Sequence, residues 1–369
     1  MAARRRETVL VAMSGGVDSS VAAALMKARG YDVIGVTMQI WQESQTDPRH
    51  AGCCSLGAVE DARRVARMLD IPHYVMNFKE EFRASVIDNF IEEYMAGRTP
   101  NPCVQCNRHV KFEHLMAKMR ELGCDRLVTG HYARIRGGLE TGYRLLRARG
   151  SEKDQSYVLY MLSQEQLAHT MFPLGEYPNK DAIRARARAL GLHLADKPDS
   201  QEICFVSEAG GYAEFLKKHR PEAFQTGEIV DEEGRRLGEH SGHAAYTVGQ
   251  RKGIGLTARN GRPLYVLNVV PGSNRVVVGH DEALLTRVVP LREVYWSSAS
   301  PDGGPLRVKA KIRYNMDPQP ATLLSGANPR LVFDQAVRAV TPGQIAVAYR
   351  GATLVAGGTI EKAEAANVA

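Results

Sequence analysis

The sequence predicts an α/β N-terminal domain with a parallel sheet, a small β-rich central domain and a C-terminal β-barrel. Up to about residue 205, short apolar runs alternate with amphipathic stretches, which is typical of a parallel sheet covered by helices. Beyond about residue 221, the chain is rich in Gly, Val, Thr and turn dipeptides, which favours strands. The 369 residues accommodate two or three domains. We place them at residues 1–220, 221–285 and 286–369.

The first elements predict a βαβ unit. Residues 8–12 form an apolar run that predicts a buried strand. A helix should follow, because apolar residues then recur at every fourth position, at Val17, Val21 and Leu25. Residues 33–38 return as a second strand. The turn between the first strand and the helix is therefore a place where backbone N–H groups become available to a ligand.

Further strands are predicted at residues 71–78 and 126–129. Two more helices are predicted from apolar residues at helical spacing, namely Phe82, Val86, Phe90 and Tyr94, and Phe112, Leu115, Met119 and Leu122. Residues 99–102, between these helices, read Thr-Pro-Asn-Pro. Because proline disfavours helix in the residue before it, we expect a loop there that carries Cys103 and Cys106.

Composition excludes several classes of protein. Hydrophobic residues make up 44% and charged residues 24% of the chain, which excludes collagen-like and disordered proteins. A net charge of +7 is compatible with a polyanionic partner. No apolar run approaches the ~18 residues of a membrane span, so we expect no membrane segment and a cytoplasmic protein. Six cysteines are few for a disulfide scaffold, and in a reducing compartment their clustering favours catalytic, redox or metal-binding roles.

Residues 14–20, Ser-Gly-Gly-Val-Asp-Ser-Ser, lie between the first strand and the first helix. A phosphate there meets backbone N–H groups and the positive end of the helix dipole. The sequence has no Gly-Lys-Ser/Thr, which excludes a Walker A loop, and the turn lacks Gly-x-Gly-x-x-Gly, which disfavours a dinucleotide fold. The alternative is a capped helix after a tight turn, but capping alone does not need two glycines and three serines together.

This loop resembles the pyrophosphate loop of the ATP-pyrophosphatase superfamily. Six further segments together resemble the tRNA-specific 2-thiouridylases: residues 99–107, 129–134, 153–157, 199–205, 246–253 and 340–344. They occur in that family's order and span nearly the whole chain.

The resemblance implies an ATP-dependent enzyme that adenylates the carbonyl oxygen on carbon 2 of the wobble uridine, position 34 of tRNA. Sulfur carried as a cysteine persulfide then replaces the oxygen, giving 2-thiouridine, AMP and pyrophosphate. Cys106 would be the nucleophile and Cys204 the persulfide carrier. The implied cofactors are ATP and Mg²⁺. The implied partners are tRNAs, by resemblance those for Lys, Glu and Gln, and a sulfur-donor protein.

The resemblance also implies binding residues. Those for ATP are Ala12, Met13, Ser14, Gly15, Gly16, Val17, Asp18, Ser19, Met38 and Gly130. Those for tRNA are Asn101, Pro102, Cys103, His131, Lys153, Asp154, Gln155, Arg313, Tyr314 and Gln344. Three alternatives stay open: His131 as a core histidine, Met38 as a plain core methionine, and residues 153–155 as an exposed charged turn.

The cysteines offer a second chemistry. The family's usual Asn-Pro-Asp-x-x-Cys has Cys103 in place of the aspartate here. Cys103, Cys106 and Cys204 could therefore hold a [4Fe–4S] cluster with one iron open, a rival to the persulfide relay. Cys124, beside a predicted strand, is expected to be a small buried hydrophobe. The roles of Cys53 and Cys54 stay undecided.

Residues 306–314 alternate between apolar and basic or aromatic side chains and predict a strand. Its polar face would carry four cations beside Tyr314: Arg307, Lys309, Lys311 and Arg313. Such a row suits a phosphate backbone and a stacked base, although a basic face can also serve solubility alone.

Two other functions compete with tRNA thiolation. An amidating synthetase shares the phosphate loop but needs no paired active-site thiols. A non-catalytic ATP-responsive RNA-binding module would not release pyrophosphate when tRNA is added.

Overall fold

A computed structural model describes residues 5–41, 56–199, 203–256, 261–297 and 304–362. The chain divides into two compact units. The first unit comprises the chain up to Val86, Cys103–Glu208 and Ala352–Leu354. The second comprises Ile87–Pro102, Ala209–Gly351 and the chain from Val355 onward. Cys53 and Cys54 lie outside the described residues.

The elements up to residue 199 alternate between strands and helices. The strands are β1 (Thr8–Ala12), β2 (Asp32–Gln39), β3 (His73–Asn77), β4 (Arg126–Val128), β5 (Ala133–Gly138), β6 (Gly142–Arg147) and β7 (Thr170–Met171). The α-helices are α1 (Val17–Ala28), α2 (Leu56–Met68), α3 (Lys79–Phe82), α4 (Asp88–Met95), α5 (Pro102–Gln105), α6 (Leu115–Glu121), α7 (Gln164–Ala168) and α8 (Lys180–Ala189). Two π-helical turns, Arg83–Ile87 and Cys106–His114, join α3 to α4 and α5 to α6.

A five-stranded sheet with the order β3-β2-β1-β4-β7 forms the centre of the first unit. Every neighbouring pair in it is parallel, which confirms the predicted α/β fold. Val9, Leu10 and Val11 of β1 are fully buried, as expected of a central parallel strand. Val21 of α1 and Ile183 of α8 pack in the same core, so both helices are held against the sheet.

The segment that carries the paired cysteines is helical, so the predicted loop for Cys103 and Cys106 was wrong. Cys103 lies in α5, and Cys106 begins the π-helical turn. Pro102 is the first residue of α5. Proline is compatible with that position because its missing N–H would have no partner there in any case. Residues 99–101 are thus irregular, and Pro102 begins the helix.

The second unit contains a small sheet and a closed barrel. Helix α9 (Tyr212–His219) precedes strands β8 (Gly227–Val230), β9 (Arg236–His240), β10 (Tyr265–Val270) and β11 (Arg275–Gly279), which form a sheet with the order β10-β11-β8-β9. The barrel strands are β12 (Leu285–Trp296), β13 (Leu306–Lys311), β14 (Gln319–Leu324), β15 (Arg330–Arg338), β16 (Ile345–Arg350) and β17 (Thr353–Ile360). Antiparallel pairing of β12 with β17 closes the barrel and confirms the predicted architecture.

The predicted basic strand is shorter than expected, because β13 ends at Lys311. Lys311 and Ile312 are both buried, at 4% and 2% exposure, and two consecutive buried residues break the alternation. Ile312 packs in the barrel core. Lys311 Nζ donates to the carbonyl oxygen of Tyr314 at 3.1 Å. The prediction of four cations on one strand face was therefore wrong: Arg313 lies in the turn after β13.

None of the helices in the described residues combines the length and the apolar character that a membrane crossing requires.

Candidate active site

The phosphate loop lies at the carboxyl end of β1. The neighbours of β1 in the sheet are β2 on one side and β4 on the other, and open α/β sheets bind ligands where the strand order reverses in this way. Gly15 has a φ of 66°, and a Cβ there would lie 2.1 Å from the carbonyl oxygen of Ala58. Only glycine fits this position, so the loop's course is fixed by packing.

The N-terminus of α1 is open to an anion. Gly16 is its N-cap, and no side chain in the described residues caps the helix. The first-turn N–H groups of a helix have no intrahelical partners. The serines brace the loop: Ser20 Oγ donates to the Gly16 carbonyl at 2.9 Å, and the Ser14 N–H donates to Ser19 Oγ at 3.1 Å. A turn braced in this way, at the N-terminus of a helix, is suited to binding an anion.

Asp18, in the first turn of α1, is held by two donors. Lys180 Nζ donates to both carboxylate oxygens, at 2.8 and 2.7 Å, and the Tyr132 hydroxyl donates at 2.6 Å. Burial and the neighbouring Asp18 carboxylate raise the pKa of Tyr132, so this phenol stays protonated as a donor. Gly130 is close by, because a Cβ there would lie 2.9 Å from the Ser19 nitrogen.

Lys180 links Asp18 to a second carboxylate. Its Nζ lies 2.7 Å from Asp199, which Lys153 also contacts at 3.2 Å. Burial alone would raise the pKa of Asp199. The hydrogen bonds from Lys180 and Lys153 outweigh burial and hold this pKa below its usual value. The Lys180 side chain is only 11% exposed. Two lysines and two carboxylates therefore alternate beside the phosphate loop, in an arrangement that brings cations to a polyphosphate.

A third lysine, Lys197, holds the phosphate loop itself. Lys197 Nζ donates to the Gly15 carbonyl at 2.9 Å and to Asp61 at 2.8 Å, and His193 Nε2 lies 3.1 Å from the other Asp61 oxygen. Burial alone would raise the pKa of Asp61, but hydrogen bonds from Lys197 and His193 outweigh it and lower this pKa. Sequence reasoning did not single out Lys180, Lys197 or Asp61. The only available signal was that Lys197 lies two positions before the Asp199 motif.

The paired cysteines lie on a braced helix. Cys103 is exposed and Cys106 is half-buried. The buried Asn107 follows Cys106, and its side-chain amide donates to the Val158 carbonyl at 2.9 Å. Lys111 Nζ donates to the side-chain oxygen of Asn107, Oδ1, at 2.8 Å. π-helical turns are frequent at functional sites.

Cys204 is half-buried in a turn of the same unit. The next residue, Phe205, is fully buried and makes edge-to-face contacts with Phe82 and Trp41, at centroid distances of 5.8 and 6.2 Å. Cys124 is buried as predicted, and burial raises the pKa of its thiol.

The predicted tRNA residues differ in their surroundings. His131 Nδ1 lies 2.7 Å from Thr129 Oγ1, and its ring contacts Phe112 and Phe172. Burial, with a smaller contribution from Lys111, holds the pKa of His131 well below its usual value, so the ring is neutral. A neutral imidazole can donate or accept one hydrogen bond without adding charge. Its predicted contact with tRNA stays a prediction.

The turn at residues 153–155 is partly inside the protein. Asp154 is 4% exposed, and its carboxylate accepts from Arg147 Nε at 3.0 Å and from the Ser156 hydroxyl at 3.1 Å. Gln155 and Tyr132 exchange two hydrogen bonds, each of 2.9 Å. The alternative of an exposed charged turn therefore does not describe Asp154. Its contacts in the structure shape the turn that presents Lys153.

Three domain models match the chain. Residues 7–208 match the tRNA methyl transferase HUP domain, residues 213–280 the tRNA methyl transferase PRC-barrel domain, and residues 287–360 the aminomethyltransferase beta-barrel domain. A tRNA-specific 2-thiouridylase from Clostridioides difficile is 49% identical over 357 residues, which cover 96% of this chain and 98% of that protein. One from Moorella thermoacetica is 50% identical, covering 95% and 99%.

This chain belongs to the tRNA-specific 2-thiouridylase family. Among solved structures, NMN synthetase from Francisella tularensis matches with a TM-score of 0.33 and 16% identity, over 59% of this chain and 77% of that one. That similarity is too weak to bear on function.

Within this 2-thiouridylase, the iron–sulfur alternative finds no support. No three His, Cys, Asp or Glu side chains among the described residues are arranged to hold a metal ion. Cys103, Cys106 and Cys204 all lie in that part of the chain. A cluster with three thiolate ligands would require these side chains to converge. The replacement of the family's usual aspartate by Cys103 therefore does not create a cluster site in this structure.

The predicted ATP residues of the 2-thiouridylase lie at the carboxyl ends of β1, β2 and β4 and in the phosphate loop, and their contact with ATP stays a prediction. Ala12 ends β1, and Met13, Val17 and Ser19 have buried side chains, so only their backbone groups are available to a ligand. Ser14 is exposed. Met38 is partly buried near the carboxyl end of β2, and its contact with adenine stays a prediction.

Proposed function

We infer that this chain is an ATP-dependent sulfurtransferase that thiolates carbon 2 of the wobble uridine, position 34, of tRNA. Membership of the 2-thiouridylase family makes it a tRNA-thiolating enzyme. The uncapped N-terminus of α1 in the Ser-Gly-Gly-Val-Asp-Ser-Ser loop carries the finer proposal, because it offers a pyrophosphate both N–H donors and the positive helix dipole. The position on tRNA and the course of the reaction are what we propose.

The first step is adenylation. The N–H groups of Gly16 and Val17 hold the pyrophosphate of ATP, and Lys180 neutralises phosphate charge. Asp18 would supply a carboxylate oxygen to a bound Mg²⁺, which would draw charge from the phosphates. The carbonyl oxygen on carbon 2 attacks the α-phosphorus, and the bond to pyrophosphate breaks. Oxygen leaves more readily from carbon 2 once it is part of AMP. Because Gly130 has no side chain, its backbone lies close to the first turn of α1.

The second step is sulfur transfer. The terminal sulfur of a persulfide on Cys204 attacks carbon 2 and displaces AMP. The Cys106 thiolate then attacks the inner sulfur, which forms a Cys106–Cys204 disulfide and leaves the terminal sulfur on the base. A thiol reductant restores both cysteines before the next turnover. In a second version, Cys106 first liberates sulfide from the persulfide, and sulfide attacks carbon 2. Both versions need a thiolate at Cys106, and its half-exposed position at the start of the π-helical turn is compatible with this.

The partners follow from this chemistry. The substrates are tRNAs with a wobble uridine, by family resemblance those for Lys, Glu and Gln. The persulfide on Cys204 comes from a sulfur-donor protein. We place the reaction in the cytoplasm, where thiols stay reduced.

The test is reconstitution with purified components. The chain is incubated with ATP, Mg²⁺, a persulfide donor, a thiol reductant and an unmodified tRNA, and nucleosides are identified by mass spectrometry. We expect 2-thiouridine, with one pyrophosphate released per thiolated base. A tRNA with cytidine at position 34 is the matched control and should give neither product. A parallel reaction receives an ammonium salt in place of the sulfur donor. Pyrophosphate release with an aminated base in that reaction, and no thiolated base in the first, would instead support an amidating synthetase.

A further inference from the structure

Two peptide planes of the phosphate loop carry the N–H groups that bind pyrophosphate in the proposed reaction. One joins Gly15 to Gly16, and the other joins Gly16 to Val17. These peptides are trans, and in a trans peptide the C=O and the N–H point in opposite directions. The partner of each carbonyl oxygen therefore decides where the N–H of the same peptide points.

The second plane is held from within α1. The Gly16 carbonyl accepts a hydrogen bond from the Ser20 hydroxyl at 2.9 Å and one from the Ser19 hydroxyl at 3.2 Å. The Ser20 N–H also donates to it, at 3.3 Å. All three bonds come from the first turn of the helix, so the direction of the Val17 N–H is set once α1 has formed.

The first plane joins two glycines, which makes it easy to rotate. A half-turn of this peptide would change ψ of Gly15 and take φ of Gly16 from −101° to about +80°. Glycine adopts a positive φ readily, whereas residues with a Cβ resist it. After such a rotation, a carbonyl oxygen would face the side that the Gly16 N–H now faces, and it would repel a phosphate.

Lys197 holds this first plane from a distant part of the same unit. Its Nζ donates to the Gly15 carbonyl at 2.9 Å, across 182 positions of sequence, and to Asp61 of α2 at 2.8 Å. The backbone of Lys197 is fixed as well. Its N–H donates to the Leu194 carbonyl at 3.0 Å, and Arg184 donates to its carbonyl at 3.2 Å. The lysine is therefore held at both ends while it contacts the loop.

We propose that Lys197 is a positioning residue for ATP. It keeps the peptide between Gly15 and Gly16 in the orientation that directs the Gly16 N–H at the pyrophosphate. The proposal rests on the proposed function, in which this N–H is one of the two donors to that group. Without Lys197 the peptide populates two orientations, and only one of them offers the donor. The affinity for ATP then falls with the fraction of the protein in the competent orientation.

A cation beside the loop can also strengthen ATP binding through its charge alone. The two roles differ in how they depend on the residue at position 16. An effect of charge is the same whether that residue is glycine or alanine. Positioning is not, because alanine disfavours the positive φ of the rotated peptide. In the observed orientation a Cβ at Gly16 would lie 3.5 Å from the Ser14 hydroxyl oxygen, which is an ordinary contact. Gly16→Ala should therefore hold the peptide without help from Lys197.

The experiment measures the affinity for α,β-methylene ATP, which cannot release pyrophosphate, by calorimetry. The proteins are wild type, Lys197→Met, Gly16→Ala and the double variant. We expect Lys197→Met to bind the analogue about tenfold more weakly than wild type, as for the loss of one hydrogen bond from a charged donor. In the Gly16→Ala background the same substitution should weaken binding by about twofold or less. An equal loss in both backgrounds would assign the effect to charge and overturn the proposal.

Two controls separate positioning from general damage to the site. AMP lacks the pyrophosphate, so Lys197→Met should bind AMP as wild type does, and equal weakening for AMP and the analogue would contradict positioning. Lys27→Met is the matched variant. Lys27 Nζ also donates to a backbone carbonyl, that of Asp70, at 3.0 Å, but from the last turn of α1. This variant should bind both ligands like wild type.

Asp61→Asn tests the same link in case Lys197→Met does not fold. It removes the charge that holds Lys197 and keeps the shape of the side chain, so we expect weaker binding of the analogue, and unchanged binding would overturn the proposal. These measurements involve neither tRNA nor sulfur. A wild-type protein that binds the analogue but forms no 2-thiouridine would count against the proposed function, while the affinities would still decide the role of Lys197.

Discussion

Lys180 donates to both carboxylate oxygens of Asp18, at 2.8 and 2.7 Å. The lysine is the first residue of α8, the aspartate lies in the first turn of α1, and they are 162 positions apart. Because Lys180 also contacts Asp199, one cation is shared by two carboxylates at the edge of the phosphate loop. A polyphosphate that arrives at the α1 N-terminus therefore meets a cation held in place in advance.

We expect Asp18→Asn to abolish tRNA-dependent pyrophosphate release while tRNA binding stays nearly intact. The substitution removes a charge that the proposed mechanism uses for Mg²⁺ and ATP, and it keeps the side chain's shape. Pyrophosphate release and filter binding of tRNA measure the two effects separately. Asp181→Asn is the control, because Asp181 is an exposed first-turn residue of α8. A comparable loss of tRNA affinity in Asp18→Asn would contradict this division of labour.

Lys180→Met should destabilise the protein in a pH-dependent way. Hydrogen bonds from Lys180 and Lys153 hold the pKa of Asp199 below its usual value of 3.8, although burial opposes them. A lowered carboxyl pKa stabilises the fold above the unfolded-state value, and that stability is lost as the pH falls through the lower folded value. We expect a cost of about 1–2 kcal/mol at pH 7, reduced for partial exposure.

Urea unfolding from neutral pH to below pH ~4 checks this expectation. The difference between wild type and Lys180→Met should shrink as the pH falls. Lys118→Met, at a lysine that is 48% exposed and paired with Glu121, should show a small difference at every pH. If the free energy of unfolding of Lys180→Met stays below that of wild type by the same amount down to acid pH, the ion pair is not the source of the difference.

Cys103→Asp should keep thiolation activity. The substitution restores the residue usual in the family. Cys103 is exposed, and no three His, Cys, Asp or Glu side chains within the described part of the chain could hold a metal ion. Cys106→Ala should lose thiolation and retain pyrophosphate release, whereas Cys124→Ala should cost only some stability because Cys124 is a buried hydrophobe. Aerobic assays with a persulfide donor measure these activities. An inactive, folded Cys103→Asp enzyme would show that the third thiol takes part in the chemistry.

Alanine substitutions at the basic residues near β13 should change the salt dependence of tRNA binding by different amounts. Lys309 and Arg313 are exposed, whereas Lys311 is buried and Arg307 makes two 2.8 Å contacts with Asp334. Neutralising a phosphate changes the slope of log K against log salt by about 1. We therefore expect alanine at Lys309 or Arg313 to lower the slope by up to about 1. Arg307→Ala should have a smaller effect. Slopes equal to that of wild type in all three variants would leave this face without a role in binding.

The periodic elements could be predicted from the sequence because burial enforces their pattern. Residues 8–12 form the central strand of the sheet, and Val17 and Leu25 of the following helix lie in the core beside it. The structure confirms both predicted elements. The helical setting of Cys103 was missed because a proline at the first helical position reads like a helix breaker. Lys311 was misplaced because a buried lysine with a local carbonyl partner still looks like a surface residue in the sequence.

The site itself was only half predictable. The phosphate loop has a local signature, and the structure places it directly before α1, with Ser14 and Ser19 hydrogen-bonded to each other. Lys180 and Lys197 act on that loop from 162 and 182 positions away, through contacts that depend on tertiary packing alone. No spacing rule connects such residues. The same reason hid the hydrogen bond that Gln344 donates to the Thr99 carbonyl.

In the proposed reaction, AMP leaves with the oxygen of the target base. A tRNA that carries ¹⁸O on carbon 2 of the wobble uridine tests it in one turnover with ATP, Mg²⁺ and a sulfur donor. If that oxygen attacks the α-phosphorus, the isotope appears in AMP, and the tRNA gains sulfur in its place. Thiolated tRNA together with unlabelled AMP would contradict adenylation of the base.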